Sequence, residues 1–153
     1  MTGRVVVAAL LSMLVGIERE RSGHAAGLRT HMLVGTGASL FTALSVLAFP
    51  EGDPARIAAQ VVSGIGFIGA GTILQQRESG KMHGLTTAAS IWVTAAVGMA
   101  CGSGAFVLAT SATLLVVFTL SVMAWVGKRL ARQHKQGPKA KRATTEDTSE
   151  EAT

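Results

Sequence analysis

Charge is scarce in this chain of 153 residues: Asp, Glu, Lys and Arg make up 15%, against about 25% in soluble domains. An ordinary soluble domain is therefore a poor fit. The single cysteine, Cys101, excludes an internal disulfide framework and reads as a small packing residue. No aspartate or glutamate lies deep in any of the long apolar stretches. A cation path needs oxygen ligands near the membrane midplane, because Mg²⁺ gives up its water reluctantly, and serine or threonine hydroxyls are a poor substitute. The sequence also offers no nucleophile–base pair, so it predicts no enzyme and no cofactor. The net charge of +5 is not a nucleic-acid signal. Seven of the 14 basic residues fall between Lys128 and Arg142, with no aromatic residues interleaved for base stacking. They read instead as the basic flank of a membrane segment.

What is present is apolar, at 48% of the chain, and rich in glycine, with 18 residues. Five apolar segments run from Val5 to Ile17, Met32 to Phe49, Ala55 to Leu74, Leu85 to Cys101 and Ala105 to Trp125. A membrane-crossing helix needs about 20 residues at about 1.5 Å each. The second, third and fifth segments meet this, and the fourth does so with its flanks. The first is short, so either it thins the bilayer or the natural start lies upstream. It lacks the small-residue cleavage site of a signal peptide. With the N-terminus outside, twelve basic residues face inward: Arg19, Arg21, Arg29, Arg77, Lys81 and the seven of the tail. Only Arg4 and Arg56 face outward. The expected architecture is all-α, with five transmembrane helices over residues 1–127, N-out and C-in. Residues 128–153 form a basic, then acidic, tail whose composition predicts disorder.

The string AQVVSGIGFIGAGT contains G-x-G-x-x-G at Gly64, Gly66 and Gly69. A dinucleotide-binding turn needs a strand before it and an acid about 20 residues later. Asp53-Pro54 upstream instead reads as a helix N-cap with proline in the first turn, and the later window AASIW has no acid. A packing seam fits better. Ala59, Ser63, Gly66 and Ala70 share one helical face, and Gly64 and Gly71 extend the smooth surface onto the next. The expectation is a third helix surrounded by close neighbours, with Gly66 where two backbones nearly touch. Gly35, Ser39 and Thr42 form a similar row on helix two. Thr87, Ser90, Thr94, Val97 and Cys101 form one on helix four.

Polar residues near the bilayer are the other candidates. Glu18, Arg19, Glu20 and Arg21 cluster at the inside end of helix one, where Glu18 and Arg21, three apart, can pair on one face. The cluster reads as an interfacial ion-pair group or, functionally, as a partner-contact or lipid-headgroup site. Arg29 and Thr30 open helix two, with Arg29 anchoring at phosphates. Arg56 and Gln60 are one turn apart at the start of helix three. The Gln60 amide lies inside an apolar run, so it is expected to point into the bundle. His24, His31 and His83 share the inside face without metal-ligand spacing. Glu51 and Asp53 could offer at most a weak outside Mg²⁺ contact. No metal site is predicted.

The strings GIERERSGHAAGLRTHMLVGTGASLF, PARIAAQVVSGIGFIGAGTIL and GLTTAASIWVTAAVGMACGSG closely resemble the membrane domain of the MgtC/SapB family, over about Gly16 to Gly104. The resemblance implies a five-helix protein of the bacterial inner membrane, linked to low-magnesium growth and survival inside macrophages. It implies a regulator more than a transporter, with the proton-translocating ATP synthase as a partner. Many members carry a C-terminal ACT-like domain, and only a short tail follows Trp125 here. Some have asparagine where this chain has Thr86, beside Thr87, so a role for that amide carries over poorly. The expected function is non-catalytic regulation by helix contact with another membrane protein or with a second copy. The alternative is a small-solute or Mg²⁺ transporter.

Overall fold

The computed structural model describes residues 1–49, 52–75 and 84–136. These form five helices: α1 (Thr2–Arg21), α2 (Leu28–Ala48), α3 (Pro54–Gln75), α4 (Leu85–Ser103) and α5 (Phe106–Gln136). No strand occurs among the described residues. The all-α expectation holds. Arg77, Lys81, His83, Glu51 and the chain beyond Gln136 lie outside the described residues.

Local chemistry sets the helix ends. α1 carries Arg19 and Arg21 in its last turn, where cations complement the helix dipole. The chain then turns through Gly23 at φ +70°, a left-handed backbone that glycine adopts without penalty. α2 starts at Gly27, which has no side chain to cap it. The Glu20 carboxylate does so across the turn, accepting the Leu28 N–H at 2.9 Å. A β-carbon at Gly27 would fall on that carboxylate. α3 begins as the sequence predicts, with Asp53 Oδ1 accepting the Ala55 N–H at 2.9 Å. α4 ends in a Schellman turn. Gly104 lies at φ +93°, and the Gly104 and Ala105 amides donate to the Cys101 and Ala100 carbonyls. Arg4 adds a donor to the same end, from Nη1 to the Gly102 carbonyl at 2.8 Å.

Two units divide the chain, Met1–Phe118 and Thr119–Thr153. In the first, α1, α2 and α4 all touch one another, α2 and α4 most extensively, and α3 rests on α4 and, less, on α2. The start of α5 joins through Ala109, which packs with Ala8, Val97 and Cys101. In the second unit the Arg129 guanidinium lies 3.9 Å over the Trp125 ring, a cation–π contact.

The bundle is inverted relative to a soluble protein. Beside a few aliphatic residues such as Ile91 and Val15, its buried residues are small or polar, among them Ser12, Ser39, Thr87, Ser90, Thr94, Thr113, His31 and Arg19, while Leu33, Phe67, Val107 and Phe118 are exposed. Lipid is as apolar as leucine, so burying large side chains gains little in a bilayer. Helices associate there through close backbone approach and polar contacts. α2, α3, α4 and the stretch Phe106–Met123 of α5 are long and apolar enough to cross a membrane. α1 has the length, with 20 residues, but its first turn carries Arg4 and its last turn Glu18, Arg19, Glu20 and Arg21.

Candidate functional site

Two features of the first unit stand out: a buried polar cluster where α1 turns into α2, and an outward face of α3.

The cluster centres on Arg19, whose side chain is 2% exposed. Its Nε donates to Glu18 and its Nη1 contacts His24 Nε2 at 3.2 Å. Glu18 also accepts from Ser22 Oγ at 3.0 Å. A guanidinium only donates, so His24 Nε2 accepts and its proton sits on Nδ1. That Nδ1 is buried with no partner among the described residues. One turn further on, His31 is fully buried. Its Nδ1 lies 2.8 Å from the Gly27 carbonyl, which can only accept, so Nδ1 carries the proton. Its Nε2 lies 3.1 Å from Ser90 Oγ on α4. Ser90 Oγ lies 2.8 Å from the Thr87 carbonyl, and Thr94 Oγ1 donates to the Ser90 carbonyl at 2.8 Å. The Arg19 network joins the end of α1 to the turn before α2, and the His31–Ser90 contact joins α2 to α4. The Ser90–His31 contact is fully buried, and no group of three potential metal ligands occurs among the described residues.

The expected pairing of Glu18 with Arg21 is not formed: Glu18 binds the adjacent Arg19, and Arg21 is exposed. A helix side chain three residues on reaches Glu18 only by staying over the same face, and the turn at Ser22–Gly27 offers Arg19 a second partner in His24. Arg29 is exposed and Thr30 half-buried at the start of α2. Thr86 is exposed, whereas Thr87 is buried. Gln60 is exposed beside Arg56 and does not enter the bundle core, because α3 turns Ile65 and Gly69 toward α4 instead.

The third helix corrects the sequence reading most. Ala59, Ser63, Gly66 and Ala70 are all exposed. A β-carbon at Gly64, Gly66 or Gly71 would meet nothing within 4 Å. Among the described residues of the first unit, α3 is therefore not enclosed by other helices, and Gly66 is not at a backbone crossing. The close crossing lies between α2 and α4. A β-carbon at Gly98 would collide with the Gly35 carbonyl, and one at Gly102 would lie 2.5 Å from the Ser39 carbonyl. The rows through Gly35 and Ser39 on α2 and through Thr87, Ser90 and Thr94 on α4 are buried, as their spacing predicts. Gly98 and Gly102 were missed, although their four-residue spacing with Thr94 was visible.

Helices of membrane-crossing length and composition around a small-residue core make this a multi-pass membrane protein. Residues 5–129 match the MgtC family model, and the chain belongs to that family. It is 43% identical over 139 residues to the Escherichia coli protein named "Putative magnesium transporter YhiD", covering 86% of this chain and 64% of that one. It is 47% identical over 113 residues to Protein MgtC of Salmonella typhimurium, covering 74% of this chain and 48% of that one. An uncharacterised Synechocystis protein is 46% identical over 114 residues. The chain thus spans about half to two thirds of the length of these bacterial relatives. No solved structure matches it.

Proposed function

We propose that this protein is a non-catalytic regulator of the bacterial inner membrane that works by helix contact with another integral membrane protein. The observation that carries this reading is the outward row Ala59, Ser63, Gly66 and Ala70 on α3. It is smooth, and among the described residues of the first unit no other helix covers it. Small residues at such spacing let a second backbone approach closely. By family resemblance the partner is the proton-translocating ATP synthase, and the setting is low magnesium and intracellular survival. The name of the Escherichia coli relative favours the second reading, a Mg²⁺ transporter. The four apolar spans contain no aspartate or glutamate to replace the ion's hydration. Purified protein in liposomes separates the two. We expect Mg²⁺ and proton fluxes equal to those of empty vesicles; flux that depends on the protein would replace regulation by transport.

The distribution of basic residues supports an N-out, C-in orientation. A reporter fused after Arg142 should be active only if it works in the cytoplasm, and one fused after Ser103 only if it works outside. The opposite pattern would reverse the orientation.

A further inference from the structure

A groove of about 630 Å³ runs between α2 and α3, within the roughly 300–1,000 Å³ of small-ligand sites. Its α2 wall includes Leu33, Gly37 and Phe41, and its α3 wall includes Gln60, Gly64 and Ile68. Each set follows the four-residue spacing that keeps side chains on one helical face. Gln60 is the one polar side chain among the lining residues. One turn before Gln60, and next to the lining residue Ile57, stands the exposed Arg56. Along α3 the order is therefore a cation just outside the groove, then a neutral amide, glycine and aliphatic side chains on its wall.

That order is the order of groups in a phospholipid: an anionic phosphate, an ester, then an acyl chain. We infer that the α2–α3 groove binds one anionic diacyl phospholipid, with its phosphate at Arg56, an ester carbonyl at the Gln60 amide and an acyl chain along Gly64 and Ile68. The length agrees. Arg56 to Ile68 is twelve residues, about 18 Å of helix at about 1.5 Å per residue, and half the hydrocarbon core is about 15 Å. Asp53, the nearest acid on α3, has its carboxylate turned to the Ala55 amide. The other end of the groove fits less well. Arg29 stands a full turn beyond Leu33, with no polar lining residue between them. The Gln60 amide, expected from the sequence to seek partners in the bundle, gains one from the lipid. At about 100° per residue Gly64 and Ile68 lie away from the row Ala59, Ser63, Gly66 and Ala70, whereas Arg56, three residues before Ala59 and seven before Ser63, stands on the row's side of α3. The apolar part of the site is therefore separate from the proposed partner surface, and Arg56 borders both.

The test is native mass spectrometry of the purified full chain, delipidated and then given an equimolar mixture of phosphatidylglycerol and phosphatidylcholine. One phosphatidylglycerol per chain should be retained in preference to phosphatidylcholine. Arg56→Gln should lower that retention about fivefold, the effect of one interfacial arginine, while Arg21→Gln, at the exposed end of α1, leaves it unchanged. Gly64→Leu should abolish it without loss of thermal stability, because a side chain there projects into open space. Equal retention of the two lipids, or Arg56→Gln and Gly64→Leu proteins that keep the wild-type retention, would overturn the site. So would a lipid-free dimer with the groove closed by a second copy.

Discussion

Gly98→Ala will loosen the bundle by about 1–3 kcal/mol or more, although it adds only one methyl group. The added carbon would overlap the Gly35 carbonyl oxygen and lie 3.0 Å from the Ala38 β-carbon. The obstacle is backbone inside a regular helix, so it cannot rotate aside, and α4 must move off α2. That movement also opens the neighbouring contact of Gly102 with Ser39. Helix propensity acts in the opposite direction, favouring alanine over glycine by about 0.8–1.0 kcal/mol. The comparison with α3 isolates the packing contribution: Gly66→Ala, where the new carbon meets nothing, should be neutral or stabilising. Thermal unfolding in detergent, with membrane abundance beside it, reads both. A Gly98→Ala protein as stable as the wild type would mean that α2 and α4 do not cross at this distance.

Arg19→Leu should be at least as damaging, at about 3–5 kcal/mol, the usual loss when one member of a buried ion pair is removed. Arg19 is almost fully buried, and the Glu18 side chain is 12% exposed. Removing the guanidinium leaves the Glu18 carboxylate with only Ser22, and removes the donor to His24 Nε2. Taking out both charges is a different matter. A Glu18→Leu, Arg19→Leu double variant leaves no unpaired carboxylate and should recover much of the loss. Arg21→Leu, at the exposed end of α1, should stay within about 0.5 kcal/mol of the wild type. Equal losses for Arg19→Leu and Arg21→Leu would mean that the cluster does not hold the corner.

The helices were legible in the sequence because the membrane demands long apolar runs, and the start of α3 because Asp53-Pro54 has one dominant local use. The α2 and α4 rows were legible because small and hydroxyl residues recur on one face. The α3 row was equally visible but misplaced. Small-residue spacing states that a face is smooth; it does not state whether the neighbour is another helix of the same chain. Gln60 failed for a related reason: an amide in an apolar run needs a partner, but the direction it takes depends on which face of α3 meets α4. Arg19 was overlooked in favour of Arg21 because spacing along α1 ignores the turn that follows, and that turn brings His24 back to Arg19. His31 and Ser90 are 59 residues apart, and no local pattern joins them.

The most direct test of the proposed mode of action is a photoreactive side chain placed at Gly66 in living cells, with a second at Val107 for comparison. Both positions are exposed, but only Gly66 belongs to the small-residue row. Irradiation should join Gly66 to one integral membrane protein, identified by mass as a subunit of the proton-translocating ATP synthase, and Val107 should yield no such product. If Gly66 gives only lipid adducts, or the same products as Val107, then the outward face of α3 is not where this protein meets a partner.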